Sequence, residues 1–379
     1  MGGQAFTVLK TDAPIEIPRL SLESYQEVIA DITPKLETLF NRVTVPRDPP
    51  GKIDFGDVDF LVEGIRDPGE SDIWETVKTL LGAVYHVRPH HFAVPHLSTP
   101  NTYVQVDIEL SPGSGTKEGS ELFEWVRFMK SDSDLLQIVS VIHRSLGLTC
   151  TDKGLHIRVE EVQAYNKKKS MIFLTRDPNE MMDFYGYDKI KYSEGFRTEA
   201  ELFNWVTNGR WFYWKAHDDR EDKSRMKKRA MFRRFVEEYM PNCGKRTIAP
   251  NQMESEFNSK TTKSLRQEVL EEALRKFNKQ KEYQAIMTEH KTKGVEEALW
   301  LRINNSFPME DPSRGTILKG LKRWVAFEDG RPYITQEMIP ASKKIKWTDH
   351  VSDNAIPDVL LWVVENCGQV RELEEHRTR

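Results

Sequence analysis

The stretch KIDFGDVDFLV, residues 52–62, places two aspartates, Asp57 and Asp59, inside an apolar run that follows a glycine. Side chains at positions i and i+2 of a strand lie on the same face, so the two carboxylates share one face. The apolar residues between and after them take the other face and are predicted to enter a core: Val58, Phe60 and Val62. Adjacent carboxylates repel each other, and hard divalent ions such as Mg²⁺ relieve that repulsion, usually with phosphate oxygens in their shell. The stretch therefore predicts phosphate chemistry.

A second alternating strand, YVQVDIEL at residues 103–110, supplies a third carboxylate. Asp107 lies between two apolar residues in this strand, and Glu109 shares its face, so either residue is a candidate for the third position. Asp107 is favoured because Val106 and Ile108 flank it on both sides. A buried or half-buried carboxylate without a partner is costly, which favours a metal site over an exposed turn.

Gly2-Gly3, a predicted helix, the Asp57/Asp59 strand and the Asp107 strand follow one another, as GGQAF, GDVDFLV and VQVDIEL. This order resembles the nucleotidyltransferase superfamily, with the DNA-polymerase-β-like fold, over roughly the first 110 residues. The resemblance implies that Asp57 and Asp59 hold Mg²⁺ or Mn²⁺ ions on a triphosphate. It also implies that Asp107 completes the metal site and assists deprotonation of the attacking hydroxyl. The backbone amides of Gly2 and Gly3 would hold the phosphates.

The leading functional hypothesis is a metal-dependent nucleotidyltransferase, which moves a nucleoside monophosphate from ATP or another NTP to an acceptor hydroxyl and releases pyrophosphate. The acceptor is left open between an RNA 3′ end, a small molecule and a protein side chain. One alternative is a catalytically inactive protein of this fold that binds a nucleotide or a protein partner. A second alternative is a metal-dependent nuclease or phosphohydrolase, in which water replaces the acceptor hydroxyl.

Three other motifs are given structural interpretations. SPGSGTK, residues 111–117, lacks the full spacing of a phosphate loop and is predicted to be a mobile connector. The histidine group is predicted to form a solvent-exposed loop and not a zinc site, because no cysteine joins it; it comprises His86, His90, His91 and His96. Residues 215–234 are basic, with aromatic residues among and before them, which suits single-stranded nucleic acid, although a solvated helix face is the favoured interpretation.

The chain has 379 residues, which predicts two or three packed units. The predicted fold is α+β, with a mixed-sheet nucleotidyltransferase-like domain flanked by helices at 1–115. A mixed α/β middle region follows at 116–245, and a mainly helical region at 246–379.

Apolar spacing and capping residues predict the main helices. A helix over residues 20–40 is expected to have Ser21 as N-cap and a kink or break at Pro34. Long helices are predicted over 211–239 and 265–290, and a helix over 357–364 precedes a frayed tail at 371–379. Shorter helices are predicted over 178–184, 199–206 and 315–325.

Composition excludes several classes of partner. The net charge is −4, so no global field draws the protein to nucleic acid or to acidic membranes. No apolar run approaches ~18 residues, which predicts no membrane partner. The three cysteines lie far apart and are predicted to be reduced thiols. Together with the lack of a signal peptide, they predict an intracellular protein, cytoplasmic or nuclear.

Overall fold

The structure is a computed structural model. It describes residues 5–9, 14–67, 69, 72–87, 90–212, 214–215, 220–243, 247–248, 256–308 and 312–378. The chain divides into two compact units, Met1–Gln280 and Lys281–Arg379. The predicted boundaries near residues 115 and 245 stay predictions. The predicted α+β class is confirmed, with helices, a mixed five-stranded sheet and smaller sheets.

The first unit is built on a mixed sheet of five strands in the order β1-β2-β5-β4-β3. The strands are β1 Phe40–Thr44, β2 Val58–Ile65, β3 Tyr85–Val87, β4 His91–Pro95 and β5 Tyr103–Leu110. The central pair, β2 and β5, is parallel, and every other neighbouring pair is antiparallel. The two strands that carry the aspartates are therefore neighbours at the centre of the sheet.

Two helices, α1 (Leu22–Leu39) and α2 (Ile73–Leu81), pack against one face of this sheet. The apolar side chains of β2 and β5 enter the core they form: Val58, Phe60, Val62, Val104, Val106 and Ile108. Ser21 caps α1 by accepting the N–H of Ser24, as predicted. Pro34 lies inside a continuous helix, so the predicted break is not found.

The opposite face of the sheet is partly covered by α3 (Gly119–Lys130). Leu61 of β2 points to this side and packs with Phe123 and Val126 of that helix. Strand alternation places Asp59 and Asp107 on the same face as Leu61, because their neighbours fill the core on the other side. The carboxylates therefore lie on the side of the sheet away from α1 and α2.

A smaller antiparallel sheet, β6-β7-β8, and several helices follow α3. In chain order these elements are α4 Leu135–Arg144, β6 Leu148–Thr151, β7 Gly154–Arg158, α5 Glu160–Gln163, β8 Met171–Thr175, α6 Pro178–Tyr185, α7 Lys189–Glu194 and α8 Glu199–Thr207. The helix caps agree with the sequence: Asp177 caps α6 and Gly186, in the left-handed conformation, ends it. The predicted mixed α and β character of this segment is confirmed.

The two predicted long helices are not single helices. The segment after Trp211 contains β9 Trp214–Lys215, α9 Arg220–Lys228, α10 Ala230–Arg234 and a π-helix at Phe235–Tyr239. Further on, β10 Thr247–Ile248 pairs with β9, and α11 spans Glu256–Lys276. The predicted helix over residues 265–290 is interrupted after α11, because Asn278 adopts a left-handed conformation with φ of 57°.

The second unit contains α12 Gln280–Asn305, α13 Arg314–Trp324, β11 Val325–Glu328, β12 Arg331–Ile334 and α14 Ile356–Thr378. The predicted frayed tail is wrong, because α14 continues through it with Val370 and Glu374 buried. Glu374 accepts hydrogen bonds from Trp324 and Arg377, which hold the end of α14 in place. Over the described ranges, no helix combines the length and the apolar character that a membrane crossing requires.

Candidate functional site

The structure brings Asp59 and Asp107 side by side. In the parallel pair β2–β5, Asp59 is the direct Cα partner of Asp107. Paired residues of adjacent strands project to the same face, so the two carboxylates emerge together on the face away from α1 and α2. The register of β2 and β5 brings the two carboxylates together, because a shift of one residue would turn one of them toward the core.

Asp57 lies immediately before β2 and completes a group of three acids. Asp59 is exposed, Asp57 is half-buried, and the Asp107 side chain keeps 18% of its surface accessible. Solvent reaches Asp59 while surrounding protein atoms still displace much of its hydration. That desolvation, followed by the charges of Asp57 and Asp107, raises the pKa of Asp59 to about 6. Burial and then the charge of Asp107 also raise the pKa of Asp57.

A buried glutamine and a histidine hold the Asp107 carboxylate. Gln105 is only 3% exposed, and its Nε2 donates to both oxygens of Asp107, at 3.0 and 3.1 Å. His91, the cross-strand partner of Asp107 in β4, places Nδ1 2.8 Å from Oδ1 of the carboxylate. The Oε1 atom of Gln105 accepts the backbone N–H of Ala5 at 3.0 Å. We refer to Gln105 and His91 as the Asp107 clamp.

The clamp also reaches the start of the chain. Ala5 begins a short 3-10 turn, Ala5–Val8, in which Phe6 is buried. Gly2 and Gly3, the predicted phosphate-binding residues, lie outside the described residues, and their role stays a prediction. The side chain of Gln105 nevertheless links the backbone of Ala5 to Asp107, although 100 residues separate Ala5 from Gln105 in the sequence.

Asp107 and Glu109 differ in their partners. Glu109 is the register partner of Leu61, and its carboxylate forms an ion pair with Lys130 of α3 at 2.8 Å. Asp107 is the residue that lies opposite Asp59. The geometry therefore favours Asp107 as the third member of the acidic group.

Two lysines supply positive charge to this group. The charges of Lys130 and Lys52 act on Asp59 and oppose the rise of its pKa. Lys52 donates to Asp48 and lies over the ring of Phe55, 4.5 Å from its centroid. A polyphosphate entering here would meet cations beside the carboxylates.

Two of the four histidines lie in strands and not in the predicted exposed loop, whereas His90 and His96 lie outside the strands and are half-buried. His86 lies in β3 with its side chain 4% exposed, and its ring stacks on Phe92. His91 lies in β4 and contacts Asp107. The sequence pattern did not reveal β3 and β4, so the role of His91 was missed, and the role of Gln105 was missed although its strand, β5, was predicted. Gln105 lies two residues before Asp107 in the same strand, and this spacing could have indicated that the two side chains share one face.

Two of the aromatic residues within or just before the basic segment at residues 215–234 are buried. Trp211 and Phe232 are 3% and 1% exposed, and the indole N–H of Trp211 donates to the carbonyl of Phe184. Arg229 and Arg234 form ion pairs with acids of the same unit. Buried rings cannot stack on bases, so this segment matches the favoured interpretation of a solvated helix face.

The loop SPGSGTK, residues 111–117, forms hydrogen bonds with the end of β2, the strand that carries Asp59. The N–H of Ser111 donates to the carbonyl of Val62 at 2.8 Å, and the N–H of Gly64 donates to Oγ of Ser114 at 2.8 Å. Ser111 is buried. The loop therefore acts as a structural connection between β5 and the end of β2.

Neither a preformed metal cluster nor a known relative identifies this site. No group of three or more His, Cys, Asp or Glu side chains is arranged to hold a metal ion in the part of the chain that the structure describes. No protein-family model matches the chain, and no curated protein matches its sequence. The function of this chain is therefore inferred from the geometry and chemistry of its own residues.

Proposed function

We propose that this protein is a metal-dependent nucleotidyltransferase that moves a nucleoside monophosphate from an NTP to an acceptor hydroxyl and releases pyrophosphate. The observation that carries the proposal is the register of β2 and β5, which pairs Asp59 with Asp107 on one sheet face. Asp57 immediately precedes β2 and acts electrostatically on Asp59. This is the arrangement of carboxylates that the nucleotidyltransferase resemblance implies.

The chemistry of the donor set, three carboxylates, suits Mg²⁺ or Mn²⁺, and binding would require these side chains to move together, because they do not form a metal cluster in this structure. Asp57, Asp59 and Asp107 would hold the ion, since carboxylate oxygens are the ligands these hard cations prefer. The raised pKa of Asp59 reflects both its desolvation and its repulsion by the other two carboxylates. A divalent ion, when bound, offsets the charge of the carboxylates and of the triphosphate.

The surrounding residues have roles of their own in this proposal. Lys52 and Lys130 contribute positive charge beside Asp59, where they would orient the triphosphate. The Asp107 clamp keeps that carboxylate in one orientation. The resemblance implies that Asp107 assists deprotonation of the acceptor hydroxyl, and the clamp orients its carboxylate for that role.

The basic segment at residues 215–234 narrows the choice among the acceptor classes. Trp211 and Phe232 are buried and two arginines of the segment are paired, so these groups do not support an RNA 3′ end. The net charge of −4 also disfavours an RNA acceptor. A small molecule or a protein side chain is the acceptor class that these observations favour.

The test is a transfer assay with each α-labelled NTP, Mg²⁺ or Mn²⁺, and separate pools of RNA, small molecules and proteins as acceptors. The variant Asp57→Asn/Asp59→Asn should lose transfer by about a hundredfold or more, because two of the three proposed ligands of the ion lose their charge. Asp54→Asn is the matched control. Asp54 is an exposed carboxylate of the same segment that pairs with Arg19 at 2.9 Å.

The alternatives give different results in the same assay. Metal-dependent NTP binding without transfer in any pool supports the inactive binding protein. Shortening of the RNA, lost in the double variant, supports the nuclease. Equal transfer by the double variant and the wild type would contradict a role for the acidic group.

A further inference from the structure

A cavity of about 1110 Å³ lies between α3 and the segment that runs from β8 through α6 to α7. Small-molecule sites typically have volumes of about 300–1,000 Å³, so this cavity has room for a ligand of that size. None of the three proposed metal-binding aspartates lines it. The cavity is therefore a separate feature, and what it binds does not depend on the proposed function.

The cations of the cavity wall already face carboxylates. The pairs are Arg47–Asp132, Arg127–Glu124, Arg176–Glu121 and Lys189–Asp183, with N–O distances of 2.7, 2.7, 3.8 and 2.6 Å. Arg47 binds Asp132 through two parallel hydrogen bonds, at 2.9 and 2.7 Å. An incoming anion would have to compete with these partners.

Three carboxylates of the wall have no cationic partner among the described residues. Among the described residues, no Lys, Arg or His forms an ion pair with Glu118, Asp177 or Glu180. Asp177 accepts the N–H of Asn179 at 2.8 Å, and Glu180 accepts the hydroxyl of Thr175 at 2.5 Å. These hydrogen bonds leave one or more lone-pair positions on each carboxylate for a donor in the cavity.

Aromatic rings complete the wall and already contact cationic side chains. Phe173 has the guanidinium of Arg176 5.1 Å from its centroid, and Tyr192 has that of Arg47 at 4.6 Å. The negative face of an aromatic ring attracts a cation in this way. Phe128 adds apolar surface at the same wall. Aromatic surface and carboxylates without cationic partners thus line the same cavity, a combination that suits an organic cation better than a phosphate.

We propose that this cavity binds a small organic cation that carries an amine or guanidinium group. Glu118, Asp177 and Glu180 accept hydrogen bonds from the cationic group, and the aromatic side chains pack against its carbon skeleton. A nucleotide or a polynucleotide is disfavoured as the occupant, because its phosphates would face these three carboxylates and would have to displace the partners of the arginines.

Titration calorimetry on the full chain tests this site with spermidine and agmatine as cationic probes and inorganic phosphate and AMP as anionic probes. We expect at least one cationic probe to bind and neither anionic probe to bind at this site. Asp177→Asn/Glu180→Gln should weaken the cation by about tenfold or more, which corresponds to about 1.4 kcal/mol. Both replacements keep the hydrogen bonds to Asn179 and Thr175, so folding is preserved.

Two further variants separate this site from other acids. Glu27→Gln removes an exposed carboxylate of α1 that does not line the cavity, and it should bind the cation like the wild type. Asp59→Asn should also bind it normally, which places the cation away from the proposed metal site. The proposal is overturned if neither cationic probe binds, if the double variant binds as tightly as the wild type, or if Asp59→Asn abolishes binding. Loss of nucleotidyl transfer would not bear on it.

Discussion

At the residue scale, two aspartates five positions apart show how environment decides the behaviour of one side-chain type. The hydrogen bond from Arg19 lowers the pKa of Asp54 below its ordinary value. Desolvation and the charges of Asp57 and Asp107 raise the pKa of Asp59 to about 6. Asp54 is therefore stabilised by its neighbour, while ionised Asp59 is tolerated at a cost and suits a site that receives a cation.

Asp59→Asn should raise the melting temperature at pH 8 and have little effect at pH 4.5. The raised pKa means that Asp59 contributes stability below its ordinary pKa of 3.8 and loses it as pH rises through about 6. Asparagine has no charge to lose. Because Asp59 is exposed, solvent screening limits the gain to about 2 °C.

Differential scanning fluorimetry from pH 4.5 to 8 measures this effect. Asp54→Asn is the control with the opposite sign, because it removes an exposed ion pair and should lower the melting temperature slightly or leave it unchanged at pH 8. A clear loss of stability at pH 8 in Asp59→Asn would show that this carboxylate is structural.

Millimolar Mg²⁺ or Mn²⁺ should raise the melting temperature at pH 8 and do so less at pH 5, where protonation of Asp59 competes with the ion. A concentration about fivefold above the dissociation constant stabilises the fold by about 1 kcal/mol. Asp57→Asn/Asp59→Asn should abolish the shift. An equal shift in wild type and variant would place the ion elsewhere.

At the element scale, three chain segments converge on one carboxylate. Asp107 of β5 is held by His91 of β4 and by Gln105, which also accepts the N–H of Ala5. Hydrogen-bonded partners of this kind orient a metal ligand and restrict its rotamers. The N-terminal turn is thereby coupled to the acidic group through a single side chain.

Gln105→Leu should weaken Mn²⁺ binding by about 10–100-fold while the sheet stays folded. Leucine has a similar volume but cannot donate to Asp107 or accept from Ala5. Electron paramagnetic resonance of Mn²⁺ gives the affinity, and the melting temperature monitors folding. His91→Asn tests the second half of the clamp. Unchanged Mn²⁺ affinity in both variants would show that the Asp107 clamp does not contribute to metal binding, whether or not transfer activity is found.

Helix packing in the second unit permits a matched pair of glycine substitutions. A Cβ on Gly320 of α13 would lie 2.6 Å from Cγ1 and 2.9 Å from the carbonyl oxygen of Val370 in α14. Gly320→Ala should therefore destabilise the unit by about 1–3 kcal/mol, although alanine is the better helix former. Urea denaturation measures the loss.

Gly368→Ala in α14 is the control, because no atom lies within 4 Å of its added Cβ. This variant should gain about 0.5–1 kcal/mol from helix propensity alone. A Gly320→Ala protein as stable as the Gly368→Ala protein would show that α13 and α14 do not pack as closely as the structure has them.

At the scale of the whole molecule, the chain contains two compact units with separate apolar cores. The core of the second unit is formed by residues after the left-handed Asn278, such as Leu299, Leu321 and Val363. A unit of about 100 residues with its own core is large enough to fold alone. The proposed metal site belongs to the first unit.

A fragment of residues 279–379 should therefore unfold cooperatively by scanning calorimetry, and Gly320→Ala should lower its transition temperature. In the full chain, the same substitution should shift one transition and leave the metal-dependent transition in place. A fragment without a cooperative transition would show that the second core requires the first unit.

Local pattern was sufficient for much of the fold. Alternation predicted β5 with its observed bounds, and the N-cap at Ser21 and the helices α6, α8 and α13 were predicted to within one or two residues. These elements depend on neighbours in sequence, which pattern and capping describe. Short strands such as β3 and β4 were missed, because their stability comes from pairing with each other and, for β4, with β5, and not from local propensity.

The amino-acid sequence by itself determined that Asp57 and Asp59 follow one another with i, i+2 spacing and that Asp107 lies in a strand with its apolar neighbours facing a core. Only the tertiary structure decided that Asp59 pairs with Asp107, that His91 and Gln105 hold Asp107, and that Ala5 reaches them. The physical reason is that side-chain direction follows from local backbone periodicity, whereas strand register and partners follow from packing between segments distant in sequence.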